Sequence, residues 1–491
     1  MPDPQADEGT VAFPDSAGLI SAAQALFVDH DPHRALALVE HESAFVLFER
    51  SERRRVGLDG LRSLGYSHLL EAYLALARQA SQRGTVLLGG TGSEYLRAVT
   101  AELTRLTEEI RAVPGYETFL APPTFPSLKA LDYPDPVVWV VSLEQIGFAL
   151  ILEPGPAGRL LVLTLPDLIA GRAYAQAIHA WFAYRQSTAD AADAAIDAVA
   201  QWCWAVCLGP VVAALNGVPQ ATVIPVGVTQ LLPLHVAWSP SSTGRTYLSD
   251  RLKISIAPNL RLAAANRGAA ATASRGVAAF APQSQRGTTA LAQLRWSAPE
   301  VNAVTRGAGS RAFLDADATL ENLLSCIGSF GCVHFAGHAL ASISVPWASH
   351  LQLFDGPATI AAIADAQPSG STQLGVLSCC TGALGSAVVP TPGVTIAGVL
   401  LAGSFRRLVA SLWRVRDDYG AILMARFHHN MTPGFGNSLD ALIAAQYWLR
   451  DAPLDEVRSF ARDHHIDERW VDDSRTKITS WGAFFHAGPC T

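Results

Sequence analysis

Two short stretches of this sequence carry side chains that are able to do nucleophilic chemistry. The run CVHFAGH ends at His338, and the run LGVLSCC ends at two adjacent thiols, Cys379 and Cys380. An imidazole near a thiol raises the thiolate fraction and later protonates a leaving group, which is the minimal unit for attack on an acyl carbon. The chain between the two runs is long enough for one strand and one helix, so the two ends can lie close in space.

Both runs must be held in place by the elements that precede them, and both are apolar enough to form β-strands. In the last third of the chain, strand-like runs alternate with helical ones. The expected strands are GCVHFAGH, HLQLFD, QLGVLSC and RRLVASLW, and the expected helices are TIAAIADA, TIAGVLLAG and AILMARFHHNM. This alternation predicts an α/β fold, a mainly parallel sheet flanked by helices. Such a sheet presents reactive side chains at the carboxyl ends of its strands.

The first part of the chain has a different pattern. From residue 16 to about 112, apolar residues recur at helical spacing, and a proline-rich stretch then ends the pattern near residue 130. We therefore expect an α-helical region over 1–130 ahead of the α/β region, with degenerate helical-hairpin repeats as one way of building it. A long alanine-rich helical stretch is expected at about 168–208, between predicted strands.

Composition limits the classes of function that fit this chain. With 49% hydrophobic residues, 16% charged residues and a net charge of −7, it can form a large core and lacks the basic surface that tracks phosphates. We therefore expect no contact with nucleic acid. The apolar runs are too short or too interrupted to predict a membrane span, and the acidic N-terminus lacks the pattern of a secretory signal. The expected location is the cytoplasm, with seven cysteines kept as reduced thiols and no metal site.

The residues alone leave the nucleophile unassigned. Adjacent residues on a strand point to opposite sides, so one thiol of the Cys379 and Cys380 pair should be packed while the other meets the cleft. Alternation does not say which. Taken singly, a histidine or a cysteine at a strand end is also more often a structural residue than a catalytic one.

Five motifs in order resemble the CHAT-domain peptidases, members of the caspase and separase clan that often follow helical repeats. They are VIPVGVTQLLPLHVAW, CVHFAGHA, VLSCCTG, IAGVLLAGSFRRLVASLWRVRDD and WGAFFHAG. The resemblance covers about residues 131–488. It implies a caspase-like domain over 131–491, divided into an N-terminal pseudo-half (131–275) and a catalytic half (276–491). It also implies a cysteine peptidase that needs no metal or organic cofactor.

The resemblance assigns catalytic roles position by position. VLSCCTG is similar to the family motif LSACETG, which places Cys380 at the nucleophile and Cys379 at the alanine. His338 matches the catalytic histidine, the general base and acid. The family's oxyanion hole implies backbone N–H donors at Ala339 and Cys380.

The resemblance also implies a substrate pocket. Asp417 matches a position that helps bind a basic residue before the scissile bond in separase relatives, and Trp413 and Asp355 are further pocket candidates. Two departures from the family pattern, Arg414 and Arg416, would turn such a pocket away from basic side chains. The preferred residue before the cut therefore stays open at the level of sequence.

The resulting hypothesis is a cysteine endopeptidase that cleaves a specific protein substrate in a regulated bacterial defence or stress pathway. Its N-terminal helices would bind an activating protein partner. The alternative is a catalytically inactive scaffold of the same fold that binds protein partners. Ala339 favours this alternative, because the family usually has glycine there and a methyl group would strain a backbone that needs unusual dihedral angles.

Overall fold

The computed structural model describes residues 17–43, 52, 57–83, 92–186, 188–242, 244–268, 274, 276–283, 294–340, 349–366, 371–379, 396–431 and 435–490. Cys380 lies outside these residues. The contacts within the chain form two compact units. The first contains the described residues up to 43 together with 124–253, and the second contains those of 44–123 together with 254–490. The limits predicted at 130 and 275 rest on sequence patterns and stay predictions.

The helices follow one another along both units. They are α1 Ala17–Phe27, α2 Pro32–Glu42, α3 Ser67–Arg83, α4 Gly92–Arg111, α5 Phe125–Lys129, α6 Ala170–Gln186, α7 Ala189–Cys203, α8 Gly209–Leu215, α9 Leu260–Gly268, α10 Ser297–Val304, α11 Leu320–Cys326, α12 Ile360–Asp365, α13 Ile396–Gly403, α14 Asp417–Asn430, α15 Ser438–Asp451, α16 Leu454–Asp463 and α17 Ile478–Trp481.

The strands begin after the first five helices. They are β1 Val137–Ser142, β2 Gly147–Leu152, β3 Leu160–Leu165, β4 Gln220–Val226, β5 Trp238–Ser241, β6 Gly244–Tyr247, β7 Lys253–Ile256, β8 Val277–Ala281, β9 Arg311–Leu314, β10 Cys332–Gly337, β11 Ala339–Leu340, β12 His350–Leu353, β13 Gly356–Thr359, β14 Thr372–Cys379, β15 Phe405–Ser411 and β16 Phe484–Ala487. The strands and helices expected in the last third of the chain are confirmed.

The first unit is built on strands in the order β3, β2, β1, β4. Strand β1 is antiparallel to β2 and parallel to β4, and β2 is antiparallel to β3. All side chains of β1 and β2 are buried, as expected of continuous apolar runs. The buried Trp139 of β1 donates its indole N–H to the Glu40 carboxylate of α2 over 3.0 Å, which satisfies a polar group inside this core.

The alanine-rich stretch forms the continuous helical segment 189–215, which includes a π-helical turn at Trp204–Leu208. By length and composition alone it could cross a membrane, with a mean hydropathy of 1.7 over its best window. Within the unit, however, 39% of that window is buried, and the carboxylate of Asp197 pairs with Arg245 of β6. Core helices of water-soluble proteins have the same character, so the expectation of no membrane span stays a prediction.

The second unit contains the mainly parallel sheet, in the order β16, β15, β14, β10, β8, β9. Every neighbouring pair in this series is parallel except β15 with β16. Helices connect the parallel strands and flank the sheet, with α10 packed against α14. The predicted α/β fold class is confirmed. The closing motif WGAFFHAG supplies β16, where the neutral ring of His486 bonds Ser255 and Ser438 over 2.6 and 2.9 Å.

The second unit also holds part of the predicted helical region. Residues of 58–120 form their own hydrophobic cluster, in which Tyr73 of α3 packs edge-on against Phe119 with ring centroids 5.4 Å apart. Arg111, at the end of α4, donates to the Phe119 carbonyl over 2.7 Å. Helices α1 and α2, by contrast, belong to the first unit. The helices expected in this part of the sequence are present where the structure describes it.

Candidate functional site

The carboxyl ends of strands β10 and β14 lie side by side in the sheet. Their parallel register pairs Ala336 with Ser378 and Gly337 with Cys379, the last residues of the two strands. His338 follows β10 directly and is half-buried. In the sequence Cys380 is likewise the next residue after β14, outside the part that the structure describes. The register therefore brings together the two strand ends that carry the predicted catalytic residues.

Ala339 lies in a conformation that suits any amino acid. It belongs to β11 and pairs with Leu351 of the antiparallel strand β12, and it is absent from the described non-glycine residues with positive φ. The Gln352 N–H donates to the His338 carbonyl over 2.8 Å, so Ala339 occupies a non-hydrogen-bonded position of this ladder. Its N–H therefore points away from β12. The expected strain from the Ala339 methyl group is absent.

Cys379 is a packed residue. Only 7% of its surface is exposed, and its carbonyl accepts a hydrogen bond from the Ser411 hydroxyl of β15. Because Gly337 and Cys379 are register partners, their neighbours Ala336 and Ser378 point to the opposite face of the sheet, toward α10 and α14. A packed Cys379 is what the family alignment implies, although the assignment of the nucleophile stays a prediction.

A small cavity lies at these strand ends. Its volume is about 40 Å³, room for little more than one water molecule. Its walls come from the ends of β10 and β14, the start of α10 and the start of α14. The lining residues are Leu294, Ser297, Glu300, Ala336, Gly337, Ser378, Cys379, Val415, Arg416, Asp417, Gly420 and Phe484. We call this space the cleft cavity, and it contains two carboxyl groups.

The first carboxyl group is that of Asp417, at the first position of α14. Its oxygen Oδ2 accepts the Trp296 N–H over 2.9 Å. Burial raises the pKa of Asp417 to about 6, and the nearby Glu300 also raises it, whereas the backbone hydrogen bond opposes the shift. Asp417 is therefore negatively charged above pH 6 and neutral below it.

The second carboxyl group is that of Glu300, which is buried on α10 and was not found by sequence analysis. Its Oε1 lies 2.8 Å from His334 Nε2, and His334 Nδ1 lies 3.2 Å from His428 Nε2 of α14. Burial raises the pKa of Glu300 to about 8 and lowers that of His334 to about 3. Burial also holds the pKa of His428 well below its usual range. At neutral pH the three side chains form a mostly uncharged hydrogen-bonded chain.

Replacement of Glu300 by glutamine is expected to remove a pH dependence of stability. Between pH 6.5 and 8 the folded carboxyl keeps a proton that the unfolded chain has released, because its pKa rises from 4.5 to about 8 on folding. The free energy of unfolding must then fall as the pH rises, by about 2 kcal/mol across this window. Urea denaturation at both pH values measures the difference.

The pH window starts at 6.5 because, below that pH, the buried histidines make the free energy of unfolding rise with pH, which opposes the effect of Glu300. His334 and His428 stay neutral in the folded chain while their unfolded counterparts bind protons below their ordinary pKa of 6.5. Glu321→Gln, an exposed change on α11, is the matched control and should keep the slope of the wild type. Equal slopes for the Glu300 and Glu321 variants would contradict this account of Glu300.

The remaining pocket candidates lie in different surroundings. Trp413 is buried and donates its indole N–H to the Thr479 carbonyl over 3.1 Å. Asp355 accepts the Leu320 N–H with both carboxylate oxygens at 3.2 Å, at the start of α11. Neither side chain is among the described residues that line the cleft cavity. Their predicted role in a substrate pocket stays a prediction.

Arg416 lines the cleft cavity, yet its charge is matched locally. Its guanidinium donates to both carboxylate oxygens of Asp418, over 3.2 and 2.6 Å, and to Ser474 Oγ over 2.8 Å. It also stacks on the ring of Tyr419. These contacts hold the cation of Arg416 beside Asp418.

The other thiols of the described chain resemble core residues. Cys203, Cys207 and Cys332 are fully buried, and burial raises the pKa of each thiol. Such thiols are poor nucleophiles at neutral pH. Within the described ranges, no group of three or more histidine, cysteine, aspartate or glutamate side chains is arranged to hold a metal ion.

Comparison with protein families identifies one match over more than half of the chain. The profile of the CHAT domain matches residues 197–489, a range that includes β10, β14 and α14. Among curated proteins, none matches the chain at a significant level.

Solved structures provide distant similarities. The chain is similar to the arginine-specific cysteine proteinase gingipain R, with 9% identity and a TM-score of 0.35, over 65% of this chain and 74% of that chain. It is similar to the Saccharomyces cerevisiae separase–securin complex, with 9% identity and a TM-score of 0.43, over 82% of this chain and 34% of that chain. The complex of the pro- and mature domains of Porphyromonas gingivalis RgpB shows 11% identity and a TM-score of 0.34, over 65% and 77% of the two chains.

Proposed function

The chain belongs to the CHAT-domain family, and from that premise we propose that it is a cysteine endopeptidase with Cys380 as nucleophile and His338 as general base and acid. One observation carries the proposal. The register of β10 and β14 pairs Gly337 with Cys379, so the residues that follow them in sequence start from neighbouring strand ends. This is where an open parallel sheet presents catalytic groups.

The proposed reaction has two halves. The Cys380 thiolate attacks the carbonyl carbon of the peptide bond, and His338 gives a proton to the leaving amine, which leaves an acyl-enzyme. A water molecule then loses a proton to His338 and attacks the acyl carbon, which returns the thiol and releases the carboxylate product. No cofactor takes part in these steps.

The backbone N–H of Ala339, together with that of Cys380, is proposed to stabilise the oxyanion. The support is geometric, because Ala339 occupies a non-hydrogen-bonded position opposite Leu351 and its N–H points away from β12. A donor of this kind contributes about 3 to 4 kcal/mol to transition-state stabilisation in acyl transfer. The backbone of Ala339 gives no reason to favour the inactive scaffold.

Asp417 is proposed to recognise a basic side chain before the scissile bond. It lines the cleft cavity next to Gly337 and Cys379, and Arg416 is paired with Asp418 and does not neutralise it. The cavity has a volume of only about 40 Å³, so a bound arginine or lysine requires its walls to move apart. The carboxylate of Asp417 then replaces the water that the cation loses.

Replacement of Asp417 by asparagine is expected to lower the preference for arginine over glutamine before the cut by about 10- to 100-fold at pH 8, since a hydrogen bond to a charged partner is lost. In the wild type the preference should fall as the pH drops through about 6, where Asp417 takes up a proton. The measurement is the ratio of kcat/KM for two peptides that differ at this residue, between pH 5 and 8.

The ratio of the two kcat/KM values cancels any effect of pH on the catalytic pair itself, because both peptides react with the same thiol and imidazole. Asp440→Asn, an exposed change on α15, is the control and should keep the wild-type ratio at each pH. A preference that is independent of pH, or one that survives in the Asp417 variant, would exclude Asp417 from recognition.

A peptide library tests the proposed activity as a whole. Purified protein is incubated with a library that is randomised around the cut, and products are identified by mass spectrometry. Cleavage that depends on Cys380 supports the peptidase. No cleavage, together with no reaction of Cys380 with a thiol-directed acyl probe, would favour the scaffold, which keeps the fold and binds protein partners without chemistry.

The biological setting is proposed from family resemblance alone. We propose a cytoplasmic, regulated protease of a bacterial defence or stress pathway, whose specific substrate is another protein. The N-terminal helices would bind an activating protein. Proteomic comparison of cleaved protein termini with wild type and with the Cys380 variant identifies the substrate.

A further inference from the structure

A second cavity lies elsewhere in the unit that contains the parallel sheet. Its volume is about 490 Å³, and it has no lining residue in common with the cleft cavity. This volume is within the range of small-molecule binding sites. Four basic side chains line it, Arg306, His428, His429 and His464, and none of its lining residues in the described chain is acidic. We call it the effector cavity.

Two of these side chains, Arg306 and His464, are held in place by hydrogen bonds to backbone carbonyls. Arg306 donates one N–H to the Asp463 carbonyl over 2.9 Å, and it has no ion pair within the described ranges. His464 Nδ1 donates a hydrogen bond to the Phe460 carbonyl over 2.8 Å. The His464 ring also stacks on the Phe460 ring, with centroids 4.1 Å apart. Burial and the positive charge of Arg306 lower the pKa of His464, while Asp463 partly opposes the shift. An anion in the cavity would relieve this repulsion.

The rest of the lining suits the organic part of a ligand. Val304, Met431 and Phe435 supply apolar surface, and the chain at Gly307 has no bulky side chain there. A ligand that combines an apolar body with an oxyanion would therefore place its body against this apolar surface and its oxyanion beside the basic side chains. Arginine is the side chain best shaped for a phosphate, since its planar fork donates two parallel hydrogen bonds.

We propose that the effector cavity binds a small organic phosphate, and that the chain from His428 through His334 to Glu300 transmits its occupancy to the cleft cavity. His428 lines the effector cavity and Glu300 lines the cleft cavity. His334 lines neither cavity, and its ring hydrogen-bonds both of these side chains. The transmitted effect rests on the proposed function of the cleft, whereas the binding does not.

The transmission is a shift of two protons along these three hydrogen-bonded side chains. Glu300 gives its proton to His334 Nε2, and His334 gives its Nδ1 proton to His428 Nε2. His334 ends neutral with its proton on the other nitrogen, Glu300 becomes a carboxylate, and His428 becomes a cation. The total charge of the three side chains is unchanged. Burial opposes this state, because it favours a protonated Glu300 and a neutral His428. The bound phosphate, which Arg306, His429 and His464 also contact, offsets that cost by attracting the new cation at His428. The cleft then gains negative charge beside Asp417.

Calorimetry with inorganic phosphate as the probe tests the binding. The full chain should show saturable heat with sodium phosphate beyond that with sodium chloride of equal ionic strength. Arg306→Gln should weaken phosphate binding about tenfold or more, and the exposed change His429→Gln should weaken it several-fold. Arg62→Gln, an exposed arginine of the same unit that pairs with Asp59, should bind as the wild type does.

The site is overturned if the wild type shows no saturable phosphate binding, or if the Arg306 and His429 variants both bind as tightly as the wild type does. If Arg306→Gln fails to fold, the His429 variant still tests whether the cavity binds phosphate. Neither result depends on peptide cleavage, so failure of this site and failure of the proposed peptidase are told apart.

Difference infrared spectroscopy at pH 7 tests the transmission. Phosphate binding to the wild type should remove the C=O stretching band of one protonated carboxyl group, and Glu300→Gln should lose no such band. Transmission through Glu300 is overturned if the wild type binds phosphate and keeps the band, or if the Glu300 variant loses the same band.

Discussion

Replacement of Cys380 by alanine is expected to lower kcat/KM for a cleaved peptide by about 10⁴-fold or more. The physical reason is that loss of the proposed nucleophile removes the covalent route. Initial rates on a peptide found in the library measure the loss. The variant should still bind that peptide, because the thiol contributes little to the affinity for the substrate.

The matched control is the neighbouring thiol. Cys379→Ala removes a packed sulfur that is 7% exposed and should lower the free energy of unfolding by about 1 kcal/mol. We expect at most about a tenfold loss of kcat/KM. If the Cys379 variant were inactive and the Cys380 variant active, the assignment of the nucleophile would be reversed.

Replacement of His338 by glutamine is expected to lower kcat/KM by about 10²- to 10⁴-fold, the usual contribution of a positioned general acid and base. Glutamine keeps a polar side chain of similar length after β10 but does not take up a proton. Initial rates on the same peptide measure the loss.

His68→Gln serves as the control for this change, because His68 is an exposed histidine of α3. It should show the rate of the wild type. A His338 variant with a rate within about threefold of the wild type would show that another group moves the proton.

Local patterns were sufficient to predict the sheet that positions the site. The apolar runs that end at His338 and Cys379 are long enough to be buried on both faces, and parallel strands are nearly continuous apolar runs for that reason. Their order in the chain, with helices between, implies that both carboxyl ends meet at one edge. The residue-level register, which pairs Gly337 with Cys379, comes from the structure.

The carboxyl group of Glu300 was beyond the reach of such patterns. It lies in the short helix α10, in the run WSAPEVNAV, where a single glutamate would normally face solvent. Its burial depends on contacts with His334 and with α14, which are distant in sequence. The only local signal is the helical spacing that places Glu300 on the same side as the buried residues Ser297, Val301 and Val304.

The role of His428 is hidden for a similar reason. The pair in FHHNM reads as two residues on a helix surface, yet His428 faces His334 while His429 is exposed. Adjacent helical residues differ by about 100° in direction, so a sequence pattern does not say which of the two faces inward without the position of the sheet.

The backbone at Ala339 bears on how this family is sorted into enzymes and pseudoenzymes. The position after the histidine lies in a paired strand, where φ is negative and a methyl group costs nothing. A paired strand of this kind accepts glycine or alanine without a change in the direction of the N–H. Alanine after the histidine is therefore, on backbone grounds, no criterion for a dead enzyme.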